Sequence, residues 1–304
     1  MQVFRHIPAT LQQSCALAIG NFDGMHLGHQ ALLAQLKQSA ETFNLEAAVM
    51  TFEPHPREFF TPESAPARLC SLREKLEYFA QAGVERVYVC RFNQRFARVT
   101  AEAFMHDMLR NSINAQVILV GEDFRFGAKR AGSVSDFVAE GFNLVSLPQV
   151  NLADVRVSST RVRSALADGR LDEAAQLLGR GYSISGKVVH GAKRGRQLGF
   201  PTANVHMRHE RPALRGVYAV KLDGLNAVAN LGVRPTIAGV PKLSLEVHVL
   251  DFNQDLYGKH VHVEFLHKLR DEMKFESLDA LKAQIANDVK LARIFFGAAV
   301  PASR

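Results

Sequence analysis

Residues 15–29 read Cys-Ala-Leu-Ala-Ile-Gly-Asn-Phe-Asp-Gly-Met-His-Leu-Gly-His, and the fold of the first half follows from how this stretch changes character along its length. A compact apolar run, residues 15–19, feeds a turn that holds Gly20 and Gly24. The turn opens into residues 27–43, where Leu32, Leu33, Leu36 and Ala40 recur at helical spacing. The pattern is strand, tight loop, helix. A helix that starts here leaves backbone N–H groups unpaired and carries a partial positive charge, which favours a phosphate. His26 and His29 stand at the same place. Zinc-protease helices space their histidines i, i+4 with a glutamate between them, whereas this pair is separated by Leu27-Gly28. One imidazole could cap the turn while the other lies on the helix. Alternatively both face a ligand, which Gly28, having no side chain, lets come close.

The chain has 304 residues, which is long for one core and suits two domains. Hydrophobic residues make up 47% and charged residues 22%, an ordinary globular composition that excludes disorder. A net charge of +7 points to a polyanionic partner, and nucleotides, nucleic acid and acidic membrane surfaces would all satisfy it. Aromatic residues are sparse at 8% and form no stacking pattern, which argues against a nucleic-acid-binding protein. Cys15, Cys70 and Cys90 are odd in number and form no CxxC, so reduced core thiols are expected rather than disulfides or a zinc knuckle. No charged leader precedes a long apolar stretch, and no run approaches the ~20 apolar residues of a membrane span. A cytoplasmic protein, monomeric or a transient homo-oligomer, with no membrane or nucleic-acid partner, is expected.

Up to about residue 180, short apolar runs at 15–19, 47–52, 86–90, 117–120 and 144–147 alternate with helical patterns at 27–43, 72–82, 101–112 and 134–140. This alternation predicts a parallel sheet with helices on both faces, a Rossmann-like nucleotide domain. Ligands of such sheets lie beyond the carboxyl ends of the strands, so three loops stand out. Thr51-Phe52-Glu53-Pro54-His55-Pro56 is expected as a stiff, extended connector. Residues 121–130, Gly-Glu-Asp-Phe-Arg-Phe-Gly-Ala-Lys-Arg, set Phe124 and Phe126 among cations; the rings could sandwich an aromatic ligand or be tucked into the core. Residues 156–163, Arg-Val-Ser-Ser-Thr-Arg-Val-Arg, open another helix with hydroxyls that suit an N-cap and with guanidinium forks that match phosphate oxygens.

His-x-Gly-His followed by Ser-Ser-Thr-x-x-Arg resembles the first and last signatures of nucleotidyltransferases that release pyrophosphate. With the intervening Pro-His-Pro and Gly-x-Asp-Phe-x-Phe-Gly loops, this half is similar to the FMN adenylyltransferase module of the bacterial bifunctional riboflavin kinase/FMN adenylyltransferase (FAD synthetase) family. The resemblance implies that His26 and His29 stabilise the α-phosphate of ATP, and that Ser159, Thr160 and Arg163 meet the outer phosphates. It further assigns Gly20, Phe22, Asp23, Gly28 and Arg156 to the nucleotide, and His55, Asp123, Phe124 and Phe126 to the flavin. Asp123 stands where some relatives have asparagine.

Near residue 180 helical periodicity gives way to β-branched alternation. Residues 171–178 form a last short helix, Gly179-Arg180-Gly181 reads as a linker, and the domain boundary is set at residues 181 and 182, giving domains 1–181 and 182–304. Strands at 184–189, 217–222, 227–231, 243–250 and 260–266 suit a small antiparallel barrel. Residues 277–296 read as a terminal helix whose stripe is Leu278, Leu281, Ile285, Val289 and Ala292. Residues 190–199, His-Gly-Ala-Lys-Arg-Gly-Arg-Gln-Leu-Gly, are either a solvated hairpin loop or a cradle for phosphates, and they lack the Walker A spacing. Thr202 and Asn204 in Phe200-Pro201-Thr202-Ala203-Asn204 would put two oxygens on one face of an extended segment, where Mg²⁺ could be held together with phosphate. Glu246 lies inside an apolar run and either points to solvent or lines a cavity, where it would be a candidate general base.

The order of these segments, with Asn230-Leu231-Gly232-Val233-Arg234-Pro235-Thr236 between them, resembles the riboflavin kinase domain of the same family. The resemblance implies a six-stranded barrel, Mg²⁺ and ATP at Thr202 and Asn204, and Glu246 as the base that deprotonates the ribityl hydroxyl. It places Gly186, Lys193, Arg194, Gly199 and Asn230 around ATP and flavin, and matches Arg270, Glu272 and Phe275 to an Leu-Arg-x-Glu-x-Lys-Phe segment near the flavin. Substrates and products are then ATP, riboflavin, FMN and FAD. Gly181 stands where relatives often carry proline, a change confined to the linker. The closest rival is a one-activity enzyme in which one domain has decayed into a binding module.

Overall fold

A computed structural model describes residues 1–191, 195, 198–207, 211–234 and 242–297. The chain divides into two compact units, one formed by residues 1–66 and 70–159, the other by residues 67–69 and 160 onward. Among the described residues no helix is long and apolar enough to cross a membrane.

The first unit is built on strands β1 (Gln2–Phe4), β2 (Cys15–Ile19), β3 (Glu46–Glu53), β4 (Arg86–Arg91), β5 (Ala115–Gly121) and, after the short hairpin of β6 (Arg125–Phe126) and β7 (Gly132–Ser133), β8 (Asn143–Leu147). Their order in the sheet is β1-β4-β3-β2-β5-β8, and all pairings are parallel. Every residue of β2 is buried, as a strand covered on both faces requires. Alternate residues feed two cores. Cys15, Leu17 and Ile19 join Leu109, Ile113, Phe126 and Phe137 on one face. Ala16 and Ala18 join Leu32, Leu33, Leu36 and Phe79 on the other.

The helices of this unit are α1 (Leu27–Phe43), α2 (Pro56–Phe60), α3 (Leu72–Gln81), α4 (Gln94–Ala97), α5 (Ala101–Ala103) and α6 (Val134–Ala139). Beyond α5 the backbone widens into a π-helical stretch, Phe104–Ile113, closed by Asn114 at φ 60. The strand order turns back between β2 and β5, so the cleft of this doubly wound sheet belongs at the loops that follow those two strands. Residues 20–26 and 122–124 are those loops.

Two differences from the sequence expectation concern connectors. The segment expected to be extended through Pro56 instead bends into α2, because Pro56 is preset for a first helical turn and the His55 ring caps it, accepting from the Arg57 N–H at 3.1 Å. The second is the antiparallel hairpin of β9 (Asn151–Leu152) and β10 (Val155–Arg156), too short to leave a periodic signal.

The second unit carries α7 (Ser159–Ala167, its first residue from unit 1), α8 (Leu171–Leu178) and a closed barrel. Its strands are β11 (Tyr182–Val189), β12 (Ala203–His206), β13 (Gly216–Leu222), β14 (Leu225–Arg234), β15 (Lys242–Val249) and β16 (His260–Arg270), ordered β11-β12-β15-β14-β13-β16. The terminal helix α9 (Leu278–Phe295) lays Val289, Ala292 and Phe296 on Val217, Ala219 and Val228 of the barrel. Leu278, expected on the buried stripe, is 71% exposed at the helix start. The stripe instead includes Asp288, a carboxylate only 2% exposed.

Candidate active sites

In the first unit the loop after β2 is held from several sides. The Gly24 N–H donates to Cys70 Sγ at 3.1 Å, the Cys70 N–H donates to Asp23 Oδ1 at 3.3 Å, and the Ser159 hydroxyl donates to the Asp23 carbonyl at 2.8 Å. Asp23 is therefore a buried brace of the loop. Phe22 takes a left-handed φ of 50 and is fully buried, its ring edge-on to Phe79 at 5.1 Å and tilted against His29 at 5.3 Å. Its side chain shapes the site from behind. A Cβ at Gly20 would press on the Phe22 ring at 3.2 Å, so Gly20 is the space in which that ring lies.

His26 is the N-cap of α1, and its Nδ1 accepts the His29 N–H at 3.4 Å, which leaves the His26 proton on Nε2. The two imidazoles stack with centroids 3.7 Å apart and planes 17° apart. The sequence offered one capping histidine or two facing a ligand; in the structure His26 caps the helix and its ring stacks on His29. Burial first, then the neighbouring His26 and Lys75, hold the His29 imidazole well below its ordinary value of 6.5, so it is neutral at pH 7. Among the described residues, Nδ1 of His29 and Oδ1 of Asn21 are buried with no hydrogen-bond partner. Gly28 fits this pair: a Cβ there would meet the His26 ring at 3.2 Å.

The loop after β5 separates the two phenylalanines. Phe126 is 6% exposed and stacks on Phe137 at 4.4 Å, which makes it a core residue. Phe124 is half-buried and lines a cleft of about 520 Å³ with Asp123, Arg125, Arg130 and Ser133. Asp123 Oδ2 pairs with Arg156 at 2.7 Å on the exposed rim. His55, half-buried, serves as the cap of α2. Thr160 and Arg163 belong to the second unit, where Thr160 is exposed on α7 and the Arg163 guanidinium donates to the Ala67 carbonyl. Sequence reasoning gave Cys70 no role beyond a reduced core thiol and passed over Lys75, although Leu72, Lys75 and Phe79 repeat at i, i+3, i+7, so that a cation falls on an apolar helical stripe.

In the barrel, strand register assembles a polar row. Asn204 of β12 pairs with Glu246 of β15, Glu246 pairs with Asn230 of β14, Asn230 with Val217 of β13, and Val217 with Arg270 of β16. Directly opposed residues share a face, so Glu246 stands between two asparagine amides and the row ends at Arg270. The row residues Asn204, Asn230 and Glu246 are half-buried, while Leu245, Val247 and Val249 of β15 are buried on the other face. His248, on the Glu246 face, donates from Nδ1 to the Pro201 carbonyl at 2.8 Å and so holds Phe200-Pro201-Thr202 to β15. The alternation of β15 puts His248 on the side of Glu246, but no role for it was read from the sequence.

The glycines beside this row are close-packed. A Cβ at Gly191 would strike the Asn204 amide, and one at Gly195 would strike the Phe200 carbonyl and approach the Thr202 hydroxyl at 3.2 Å. The donors that these glycines expose are hard oxygens, a hydroxyl and an amide carbonyl, which suits Mg²⁺. Gly232 is likewise the seat of the Glu272 carboxylate. Arg270 forks onto Asp288, with Nε at 2.9 Å from Oδ1 and an NH2 at 2.7 Å from Oδ2, and its guanidinium lies 5.7 Å from the Phe275 ring centroid. Gly186 is buried in β11, where its missing Cβ admits the His206 carbonyl of β12. Gly199 is exposed at φ 90 with open space around it. Lys193 and Arg194 lie outside the described residues.

A doubly wound sheet with a histidine pair at its first helix, followed by a six-stranded barrel with a carboxylate between amides, defines a two-unit α/β and β transferase architecture. The family model described as FAD synthetase matches residues 9–161, and that described as riboflavin kinase matches residues 178–296. The chain is 49% identical over 303 residues to the bifunctional riboflavin kinase/FMN adenylyltransferase of Escherichia coli K12, covering 96% of both chains. It is 46% identical over 307 residues to that of Haemophilus influenzae, covering 97% of this chain and 99% of the relative. A solved structure from Streptococcus pneumoniae, described as a macrolide-efflux protein, superposes with a TM-score of 0.79 at 32% identity and covers 96% of this chain and 98% of its own. The chain belongs to the bifunctional riboflavin kinase/FMN adenylyltransferase family.

Proposed function

We propose that the barrel unit phosphorylates riboflavin with ATP to give FMN, and that the first unit adenylylates FMN with a second ATP to give FAD and pyrophosphate. The row Asn204–Glu246–Asn230 is the observation that carries the kinase assignment. Glu246 takes the proton from the terminal ribityl hydroxyl, whose oxygen bonds to the γ-phosphorus as the bond from γ-phosphorus to the β–γ bridging oxygen breaks and ADP leaves. Asn204 and Asn230 flank and orient the carboxylate. Thr202 and Asn204 would hold Mg²⁺, which supplies neutralisation of phosphate charge. Lys193, Arg194 and Gly199 are assigned to the ATP side, and Arg270, Glu272 and Phe275 to the flavin. The kinase domain is taken to start at residue 182.

In the first unit the FMN phosphate is already an anion, so its oxygen attacks the α-phosphorus without a base, and pyrophosphate departs with the electrons of the α–β bridge. His26 and His29 stabilise the charge that develops, with Gly28 and Phe22 holding them. Arg156 and Ser159 serve the phosphates, while the roles of Thr160 and Arg163 rest on the family resemblance. Asp123 and Phe124 face the flavin. The protein works in the cytoplasm as a monomer or transient homo-oligomer, without nucleic-acid or membrane partners.

Riboflavin, FMN and MgATP, with the flavins separated after incubation, test both halves. Glu246→Gln is expected to abolish FMN formation and spare FAD formation from added FMN, and His29→Ala to do the reverse. Equal loss of both activities in either variant, or full FAD formation by His29→Ala, would refute the corresponding assignment.

A further inference from the structure

Lys75 is an ammonium in the wrong place for a structural residue. It lies in α3 at 3% exposure, and lysines are almost never so buried without a partner. Among the described residues no ion pair joins it to a carboxylate. Two carboxylates lie nearby, since Asp23, Glu74 and Lys75 all act on the Cys70 thiol. Asp23 Oδ1 is committed to the Cys70 N–H at 3.3 Å, and Glu74 Oε2 to the Ser71 N–H at 2.6 Å in the capping box of α3. The charge of Lys75 also reaches His29. Around the same loop, His29 Nδ1 and Asn21 Oδ1 are buried without partners among the described residues. Two unsatisfied polar atoms, a buried cation and a helix N-terminus thus converge on one spot.

Adenylyl transfer builds negative charge on the departing pyrophosphate, which a nearby cation stabilises. A neutral His29 offers a dipole only, whereas charge builds on the departing pyrophosphate as the α–β bridge breaks. Arg156, a guanidinium assigned to phosphate, is engaged by Asp123 on the rim. Building on the adenylyltransferase reading of the first unit, we propose that Lys75 is a further phosphate-contacting residue of that site, its ammonium meeting the triphosphate at the bond that breaks. Burial serves this role, because a cation held in a dry site stabilises developing charge far more than one in water. The cost of desolvating it is offset only when the nucleotide is bound.

Full-length Lys75→Met and Lys75→Arg test this, with riboflavin phosphorylation by the barrel unit as the internal measure of competent protein. Lys75→Met is expected to lower kcat for FAD formation from FMN about 100-fold, with a smaller change in KM for ATP, and to lose the thermal protection that pyrophosphate gives the first unit. Lys75→Arg is expected to restore a large part of both. A folded Lys75→Met enzyme within about threefold of the parent in kcat would overturn the proposal. If Lys75→Met lowers the first unfolding transition below assay temperature, Lys75→Arg decides: undiminished pyrophosphate protection with lost turnover overturns it, and retained turnover with retained protection supports it. A parent chain that makes no FAD from FMN would instead defeat the adenylyltransferase reading itself.

Discussion

Gly28 has its residue type set by a neighbour as much as by a ligand. Its missing Cβ is filled by the His26 ring, and that ring is held by the backbone of the helix it caps. The cysteines show the same dependence on surroundings. Burial pushes the Cys15 and Cys90 thiols up from 9.0 to about 12, and pushes Cys70 further, where Asp23 adds to the effect. These are inert, reduced thiols, as their number and spacing implied. They also make stability depend on pH with a definite sign. The folded value exceeds the unfolded one, so the contribution of each thiol is whole below about pH 9 and is lost as pH rises toward 12. The urea midpoint of the first unit is expected to fall on the alkaline side of about pH 9, and Cys90→Ala to flatten that fall. A midpoint as steep in the variant as in the parent would show that another group carries the effect. That His26 caps the helix while its ring stacks on His29 was not legible in the sequence, because both readings give the same spacing; the turn before the helix takes left-handed φ at Phe22 and Met25.

Among elements, α9 ties its unit together by an ion pair rather than by its apolar stripe alone. Asp288 is buried at 2% exposure, accepts from Gln284 Nε2 at 2.8 Å and receives the forked guanidinium of Arg270 at the end of β16. Removing one partner of such a pair leaves the other charge buried and unpaired, which costs about 3–5 kcal/mol. Asp288→Ala is therefore expected to lower the melting temperature of the barrel unit and, by freeing Arg270, to raise KM for riboflavin more than it lowers kcat. A variant that melts early yet keeps the parental KM would place Arg270 outside flavin binding. The sequence revealed α9 and most strands because their periodicity is long, and β2 because it is apolar throughout. It hid β12, a four-residue strand that begins within Pro-Thr-Ala-Asn, and α2, whose helical turn depends on the His55 cap. It also hid the polar row itself: Asn204, Glu246 and Asn230 are far apart in the chain, and register alone makes them neighbours.

For the whole molecule, one order of reactions follows from placing two catalytic sets in two units. The product of the barrel unit is the substrate of the first, and nothing in either mechanism requires that FMN stay on one polypeptide. The two damaged variants of opposite halves turn this into a measurement. His29→Ala retains Glu246 and so accumulates FMN from riboflavin; Glu246→Gln retains the histidine pair and consumes FMN. Mixed, the two are expected to make FAD from riboflavin and ATP, after a lag that shortens as the concentration of Glu246→Gln protein is raised, because FMN must build up in solution before the second step runs. The parent, with both sites intact at the same site concentrations, is expected to show the same steady rate once free FMN is added to saturation. A mixture that accumulates FMN without FAD, while Glu246→Gln alone still adenylylates added FMN, would mean that FMN released by one chain does not reach the other at useful concentration. A parent that makes FAD from riboflavin with no lag and no free FMN would establish transfer within one molecule, and the two units would then have to be understood as one device rather than as two enzymes in series.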